Sequence, residues 1–140
     1  MNQRRLPPMS TEDTDKRYDR VLEKDLTDRI IGACMEVSNT LGVGFLESVY
    51  DRALLIELDR MNINYKSQAK LSVVYKGINV GDFIADVFVE EKVILELKVT
   101  NSIVKEMQAQ LMNYLKASGI KIGYLINFGN PKLEWKRIVL

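Results

Sequence analysis

The 140-residue sequence predicts an α/β or α+β domain built around a mixed β-sheet. Three observations predict this class. Apolar residues recur at helical spacing from Leu26 to about Met61, they alternate with a period of two from Lys70, and helical spacing returns over residues 104–117 before further strands. The predicted order is therefore ααβββαβ(β). We expect a flexible N-terminal extension over residues 1–24 and one folded domain over residues 25–140.

The first two helices are predicted to form a short-linked pair. The first has an apolar stripe with spacings of 4, 4, 3 and 4, and the residues of that stripe are Leu26, Ile30, Cys34, Val37 and Leu41. We expect Asp25 or Thr27 to cap it and Gly42 to end it. The second helix begins after Gly44 and ends near Asn62.

Strand patterns follow. Leu71, Val73 and Tyr75 alternate with more polar positions, and Lys76-Gly77 is a plausible turn into a return strand over residues 78–89. A polar turn at residues 90–92 leads to a third strand over residues 93–99. That strand is apolar on both faces apart from Glu96 and Lys98, so helices should cover at least one face of the sheet.

In the second half of the chain, one helix and then two strands are predicted. Residues 104–117 have helical spacing, and Gly119 lies at a natural C-terminal cap. A buried strand is predicted over residues 122–128 and an edge strand over residues 135–140.

Composition excludes several classes of site. The chain contains no histidine, so Ser-His-Asp triads, Cys-His proteases and histidine metal sites are excluded. A single cysteine excludes an internal disulfide and structural zinc. Any metal must then be held by oxygen ligands, which favours Mg²⁺ or Mn²⁺.

Charge and hydropathy bear on partners and location. No apolar run approaches the roughly 20 residues that span a bilayer, so we expect a cytoplasmic protein without a membrane partner. The net charge is +1 overall, but residues 92–140 contain seven Lys and one Arg against three Glu, a net +5. A basic face for a polyanion is one interpretation; scattered solvated lysines are the other.

Three charged residues lie within apolar strands: Asp86, Glu96 and Lys98. Glu96 and Lys98 are two apart, so they project from the same face about 7 Å from each other. A three-residue turn at residues 90–92 places Asp86 opposite Glu96, whereas a two-residue turn places it opposite Leu97. The hypothesis of a shared site therefore requires the three-residue turn.

Opposed carboxylates about 5 Å apart repel one another unless a cation lies between them. We expect a divalent ion held by Asp86, Glu96 and the carbonyl of Leu97, with Lys98 orienting an attacking water and stabilising charge on phosphorus. The alternative is a structural Glu96-Lys98 ion pair with Asp86 solvated.

Several ordered motifs resemble a known family. Asp86, Glu96-Leu97-Lys98 and the helical Gln110-Leu-Met-Asn-Tyr114 resemble the PD-(D/E)XK phosphodiesterase superfamily, whose RecB-like members have a Gln-x-x-x-Tyr helix. Gly44-Phe-Leu-Glu47-Ser-Val-Tyr50 is similar to the signature of the GxxExxY family within it, and the ending Gly123-Tyr-Leu-Ile-Asn127 is also similar. The chain departs from the superfamily pattern in having Ile84-Ala85, without proline, before Asp86.

The resemblance implies a restriction-endonuclease-like αβββαβ core preceded by an extra helix. It implies catalytic roles for Asp86, Glu96 and Lys98, and a further metal-binding role for Glu47. Gln110 would position Lys98 or the substrate, while Tyr50 and Tyr114 are supporting candidates. Tyr50 is expected in the core, with its hydroxyl bonded to a site carboxylate.

The sequence therefore favours a Mg²⁺- or Mn²⁺-dependent nuclease acting on nucleic acid, with DNA as the preferred hypothesis and a homodimer left open. Substrate contact is assigned to cations of the basic half, including Lys105, Lys116, Lys132, Lys136 and Arg137. Two alternatives stay open: a catalytically silent nuclease-like module that binds nucleic acid or protein, and an oligomeric interaction protein with a structural acidic cluster.

Overall fold

Helix α1 spans Thr11–Leu41 in the computed structural model, which describes residues 11–140 and their side chains from Glu23 onward. We expected this helix to begin at Asp25 or Thr27, and that prediction was wrong. No Gly or Pro interrupts the sequence between Thr11 and Ile31. Thr27 is an interior residue whose hydroxyl donates to the Lys24 carbonyl at 3.2 Å. Residues 11–24 of the expected extension are thus helical, and residues 1–10 lie outside the described part of the chain.

The C-terminal end of α1 agrees with prediction. Gly42 adopts a left-handed φ of 73°, and its amide donates to the Ser38 carbonyl at 2.9 Å. A glycine tolerates this conformation because it has no Cβ. Contacts divide the chain into two units, Met1–Ile31 and Gly32–Leu140, and the boundary lies within α1.

The second unit contains one five-stranded mixed sheet. After helix α2 (Glu47–Arg60), the chain forms strands β1 (Tyr65–Tyr75), β2 (Ile78–Val89) and β3 (Val93–Lys98), helix α3 (Lys105–Ser118), and strands β4 (Ile122–Asn127) and β5 (Glu134–Val139). The strand order in the sheet is β1-β2-β3-β4-β5. Neighbouring strands are antiparallel except β3 and β4, which are parallel and joined by α3. The predicted order and fold class are confirmed.

Burial explains why these segments form these elements. Helix α2 buries Tyr50, Leu54 and Leu58, which are spaced four apart. Helix α3 buries Leu111 and Leu115 in a core cluster that includes apolar residues of three strands, Ile94, Leu125 and Ile138.

At the C-terminal end of β3, the partly exposed polar residues Glu96 and Lys98 alternate with buried apolar residues. Elsewhere the strand is apolar, as expected for a central strand. Among the described helices, none is long and apolar enough to cross a bilayer.

Candidate active site

The β2–β3 hairpin has the register that a shared site requires. Val89 pairs with Val93, and the pairing continues two residues further to Val87 and Leu95. Glu90 and Glu91 in the connecting turn have φ values of 53° and 55°, and the Lys92 amide closes the turn by donating to the Val89 carbonyl at 2.9 Å. The three-residue turn is therefore confirmed. The paired residues reach Val87 and Leu95, and the pairing of Asp86 with Glu96 stays a prediction.

Asp86 is fixed against the backbone of β3. The paired residues end at Val87 and Leu95. Asp86 is the next residue of β2, and the amide of Leu97, two residues beyond Leu95, donates to its Oδ2 at 2.7 Å. A hydrogen bond to a carboxylate is stronger than one between neutral groups and restrains the side chain. The contact at Leu97 is thus made by its amide, while metal binding by its carbonyl stays a prediction.

One carboxyl oxygen of Glu96 is a buried and unsatisfied hydrogen-bond acceptor. Its Oε1 has no hydrogen-bond partner among the described residues. Burial, then the charge of Asp86 and a side-chain hydrogen bond with it, raise the pKa of Glu96 to about 8, although Lys98 opposes the shift. A buried acceptor left unpaired costs about 1–3 kcal/mol. A proton or a cation would remove that cost.

Glu47 approaches the same group from α2. It lies in the first turn of the helix, where the macrodipole favours a carboxylate. Burial and the charge of Asp86 raise the pKa of Glu47, and Lys98 counteracts them. The structure thus brings Glu47 within electrostatic reach of two predicted site residues.

The acidic groups do not form a three-ligand cage. Within the part of the chain that the structure describes, no three carboxyl or thiol groups form a group able to hold a metal ion. Asp86 and Glu96 interact most strongly, since both the charge of Asp86 and a side-chain hydrogen bond with it raise the pKa of Glu96. An ion here would need water or substrate oxygens to complete its ligand shell.

Asp51 is a neighbour that the sequence reasoning missed. It lies one turn after Glu47 on α2 and is half-buried, and burial together with the charge of Asp86 raises its pKa. Its Oδ2 is 3.5 Å from Nε2 of Gln68. The spacing of four from Glu47 was the available signal, since residues so spaced share one helical face.

Of the two predicted site residues on α3, Tyr114 is the one that interacts with the acidic pair. Burial, then the charges of Glu96 and Asp86, raise the pKa of Tyr114. Its ring stacks on Phe83 with centroids 3.9 Å apart and an interplanar angle of 7°. Gln110 is exposed, and none of the described hydrogen bonds involves its side chain. The positioning role expected for Gln110 therefore stays a prediction.

Tyr50 supports the loop before Glu47, and its predicted bond to a site carboxylate was wrong. Its hydroxyl donates to the Gly42 carbonyl at 2.6 Å and accepts from the Phe45 amide at 3.3 Å. Its ring stacks on Phe128 with centroids 4.8 Å apart. The fully buried ring leaves the hydroxyl within reach of the loop backbone, which satisfies it.

Asn127 organises the connection from β3 to α3. It pairs with Lys98 across the sheet and is fully buried. Its Oδ1 accepts from the amides of Thr100 at 3.0 Å and Gly129 at 2.9 Å. Its Nδ2 donates to the Thr100 carbonyl at 3.0 Å and to Oε1 of Glu134 at 2.9 Å. This network holds the chain that leaves the site, a role the sequence did not indicate.

The residues predicted to contact nucleic acid differ in how exposed they are. Four of them are exposed, Lys105, Lys116, Lys132 and Lys136. Lys136 shares a register row with Leu125 and Glu96, so it lies on the Glu96 face of the sheet. Arg137 instead donates to the Tyr124 hydroxyl at 2.7 Å, which gives it a structural contact.

Comparison with known proteins relates this geometry to a family. The family model described as the PD-(D/E)XK nuclease superfamily matches residues 24–138. No curated protein matches the chain at a significant level. A crystal structure titled SSO0001 superposes with a TM-score of 0.53 at 16% identity, over 66% of this chain and 48% of that one. The chain thus spans about half of that relative, and the likeness concerns the fold alone.

Proposed function

Because the chain belongs to the PD-(D/E)XK nuclease superfamily, we propose that it is a metal-dependent phosphodiesterase that hydrolyses the DNA backbone. One observation carries the proposal. Oε1 of Glu96 is buried without a hydrogen-bond partner among the described residues, beside the Asp86 carboxyl and within electrostatic reach of Lys98. An acidic pair beside an amine is an arrangement that can hold a cation next to a phosphate.

Asp86 and Glu96 are the residues that would hold Mg²⁺ or Mn²⁺. Their oxygen donors suit hard cations, and the unsatisfied Oε1 of Glu96 fits such an ion. The carbonyl of Leu97 and the Glu47 carboxylate would be additional ligands. Glu47 forms no three-ligand group with Asp86 and Glu96 among the described residues, so it would have to move closer to bind the ion. When bound, the metal would lower the pKa of water and neutralise charge on the phosphate.

Lys98 is assigned to the reacting centre. It is on the same strand and face as Glu96, and its charge acts on both Glu96 and Glu47. The ammonium group would orient the attacking water and stabilise the negative charge that develops on phosphorus. Gln110 on α3 would position Lys98 or the substrate, and Tyr114 on the same helix would support the site.

Phosphate neutralisation would supply most of the binding energy for substrate. Lys105, Lys116, Lys132 and Lys136 are exposed and belong to the basic half of the chain. Phosphate contacts position the backbone and carry no sequence information directly. The Gly44-to-Tyr50 signature further supports assignment to the GxxExxY family.

Cleavage of labelled DNA tests the proposal. The wild type should cut in Mn²⁺ or Mg²⁺ and stop on addition of EDTA, whereas Glu96→Ala and Lys98→Ala should lose at least about 100-fold in rate. Glu36→Ala, an exposed change on α1, is the matched control and should cut like the wild type. Equal cutting by all four proteins would refute the assignment.

One observation favours a second candidate, a nuclease-like module that binds without cutting. The described residues contain no group of three acidic or thiol ligands able to hold a metal. In that case the wild type would bind DNA with a steep salt dependence and leave it intact in both metals. The cleavage and binding assays together separate the two functions.

A further inference from the structure

An open pocket lies at the N-terminal end of the edge strand β5. Its volume is about 480 Å³, and it is lined by Asn130, Lys132, Leu133, Glu134 and Trp135. Pockets that bind small molecules commonly have volumes of about 300–1,000 Å³. The lining combines an aromatic ring and an apolar side chain with a cation, so the pocket offers both apolar contact and positive charge.

Trp135 leaves its indole ring available for contact. It is the only tryptophan of the chain, and it is 40% exposed. Among the residues whose side chains the structure describes, no aromatic ring stacks on the indole and none forms a hydrogen bond with its N–H group. Tryptophan is highly buried on average, and its N–H group usually finds a partner. An open indole face can stack on a planar ligand.

Lys132 is the cation of the pocket. Its side chain is exposed, and within residues 23–140 no carboxylate lies within ion-pair distance of it. The one carboxyl group of the lining is engaged elsewhere, since Oε1 of Glu134 accepts from Nδ2 of Asn127 at 2.9 Å and from the Ile103 amide at 3.1 Å. The ammonium group of Lys132 can therefore bind an anion such as a phosphate.

Hydrogen bonds and strand register connect the pocket to Lys98. Nδ2 of Asn130 donates to the carbonyl of Asn101 at 3.0 Å, and Asn101 follows Lys98 by three residues. Glu134 lies in one register row with Asn127 and Lys98. Neighbouring strands are about 4.8 Å apart, so the backbone of Glu134 lies about 10 Å from that of Lys98. The pocket and the candidate active site are thus at the same end of the sheet.

Trp135 belongs to the next register row, with Ile126 and Leu97, so its side chain projects from the face opposite Lys98. Because β5 is an edge strand, a nucleic-acid strand bound at Lys98 can reach the indole by passing around this edge. A span of about 10 Å corresponds to about three nucleotide steps of a stacked strand. The pocket would therefore take a nucleotide at least that far from the cut.

We infer that this pocket binds an unpaired nucleotide of the substrate, whose base stacks on the Trp135 indole while Lys132 contacts a neighbouring phosphate. The inference rests on the proposed function and specifies a single-stranded segment beside the cut. Inside a duplex both faces of a base are covered by its neighbours, so an aromatic side chain stacks on unpaired or terminal bases. Every base has a π face, so the pocket would select for an unpaired strand and not for a sequence.

Charge favours nucleic acid over a second copy of this chain as the occupant. Lys132 and Lys136 are exposed on either side of Trp135. A second copy paired along β5 would bring the cations of the two chains together, which is unfavourable, and lysine on an edge strand discourages such pairing. A phosphate backbone would instead neutralise these cations.

The fluorescence of Trp135 tests the inference directly, because no other tryptophan contributes to the signal. A single-stranded oligothymidylate of about 12 nucleotides is titrated into the full chain in EDTA, so that binding is measured without cleavage. Stacking of a base on the indole should quench the emission strongly. A blunt paired duplex of the same length should cause much less quenching.

Substitutions test the two contacts separately, with a labelled oligothymidylate and fluorescence anisotropy as the measure of affinity. Trp135→Ala should bind at least about fivefold more weakly than the wild type, and Trp135→Phe should keep most of the affinity. Lys132→Ala should lower the slope of log affinity against log salt concentration by about 0.7. Thermal unfolding checks that each variant is folded.

Tyr75→Ala and Lys76→Ala are the matched controls. They remove an exposed aromatic ring and an exposed cation at the end of β1, the opposite edge of the same sheet, and should bind like the wild type.

The outcomes separate this inference from the proposed function. Saturating binding without quenching, or equal affinities of Trp135→Ala and the wild type, would overturn the pocket, while cleavage in Mn²⁺ would still support the nuclease. Emission that changes with protein concentration and not with the oligonucleotide would assign the surface to a second copy and overturn the inference. Quenching by a wild type that cuts nothing in Mn²⁺ would support the pocket and refute the nuclease.

Discussion

The amide of Leu97 donates a 2.7 Å hydrogen bond to Oδ2 of Asp86, so a side chain of β2 takes up a backbone donor of β3. The paired residues of the two strands end before this contact, at Val87 and Leu95. This bond therefore gives Asp86 a structural role as well as its proposed role in metal binding, and substitution can separate the two.

Asp86→Asn and Asp86→Ala should differ in stability but not in activity. Asparagine keeps an oxygen for the Leu97 amide, whereas alanine leaves that buried donor unpaired at a cost of about 1–3 kcal/mol. Both variants lose the charged ligand and should lose metal-dependent cleavage. Urea unfolding curves measure the difference. Equal stability of the two variants would contradict the structural role of the hydrogen bond.

The stability of the metal-free protein should fall as the pH rises from about 4.5 to about 8, because folding raises the pKa of Glu96 across that interval. Within it the folded chain retains a proton that the unfolded chain has released, so deprotonation favours unfolding. The raised pKa values of Glu47 and Asp51 act in the same direction.

Thermal unfolding in EDTA at a series of pH values checks this dependence, with Glu96→Gln as the comparison. The variant has no carboxyl group to titrate at this position and should lose part of the slope. Mn²⁺ should protect the wild type more at pH 8 than at pH 6, since the ion and the proton compete for the same carboxyl group. Parallel curves for variant and wild type would refute the prediction.

The strand register on which the candidate site depends could be predicted because strand geometry is regular. The turn at residues 90–92 determines which residues of β2 and β3 face each other, and the observed pairing of Val89 with Val93 agrees with the sequence-based register. Side chains two apart on β3 then share one face. Periodicity of this kind transfers reliably from sequence to structure.

Contacts that depend on how α2 lies against the sheet could not be predicted in the same way. The effect of Asp86 on Asp51 and the bond from Tyr50 to the Gly42 carbonyl join residues of different elements or of a loop. The start of α1 was missed for another reason: charged residues without a breaker suit a helix as well as an extension.

Cys34 should be inert in the folded protein. Its side chain is fully buried on α1, and burial raises the pKa of its thiol to about 12. The thiolate is the reactive form, so a water-soluble disulfide reagent at pH 8 should modify it only on unfolding. One equivalent should react in denaturant and almost none in buffer. Rapid reaction in buffer would show that this part of α1 opens.

Gly129→Ala should destabilise the protein strongly, because a Cβ at this position would lie 2.2 Å from the Thr100 carbonyl oxygen. Both backbones are held by Asn127, whose Oδ1 accepts from the amides of Thr100 and Gly129, so neither can move without breaking that network. We expect a loss of at least about 2 kcal/mol, as in other overpacked sites.

Gly32→Ala is the control for this substitution. Gly32 lies within α1, and a Cβ there would meet nothing within 4 Å. Alanine should therefore stabilise the helix by about 0.5–1 kcal/mol. Denaturant unfolding of the two variants measures both effects. Because Asn127 also pairs with Lys98 on β3, Gly129→Ala should disturb the end of that strand and lower any cleavage activity, whereas Gly32→Ala should leave activity unchanged. Equal stability of the two variants would show that the Thr100 backbone can move away from the added methyl group.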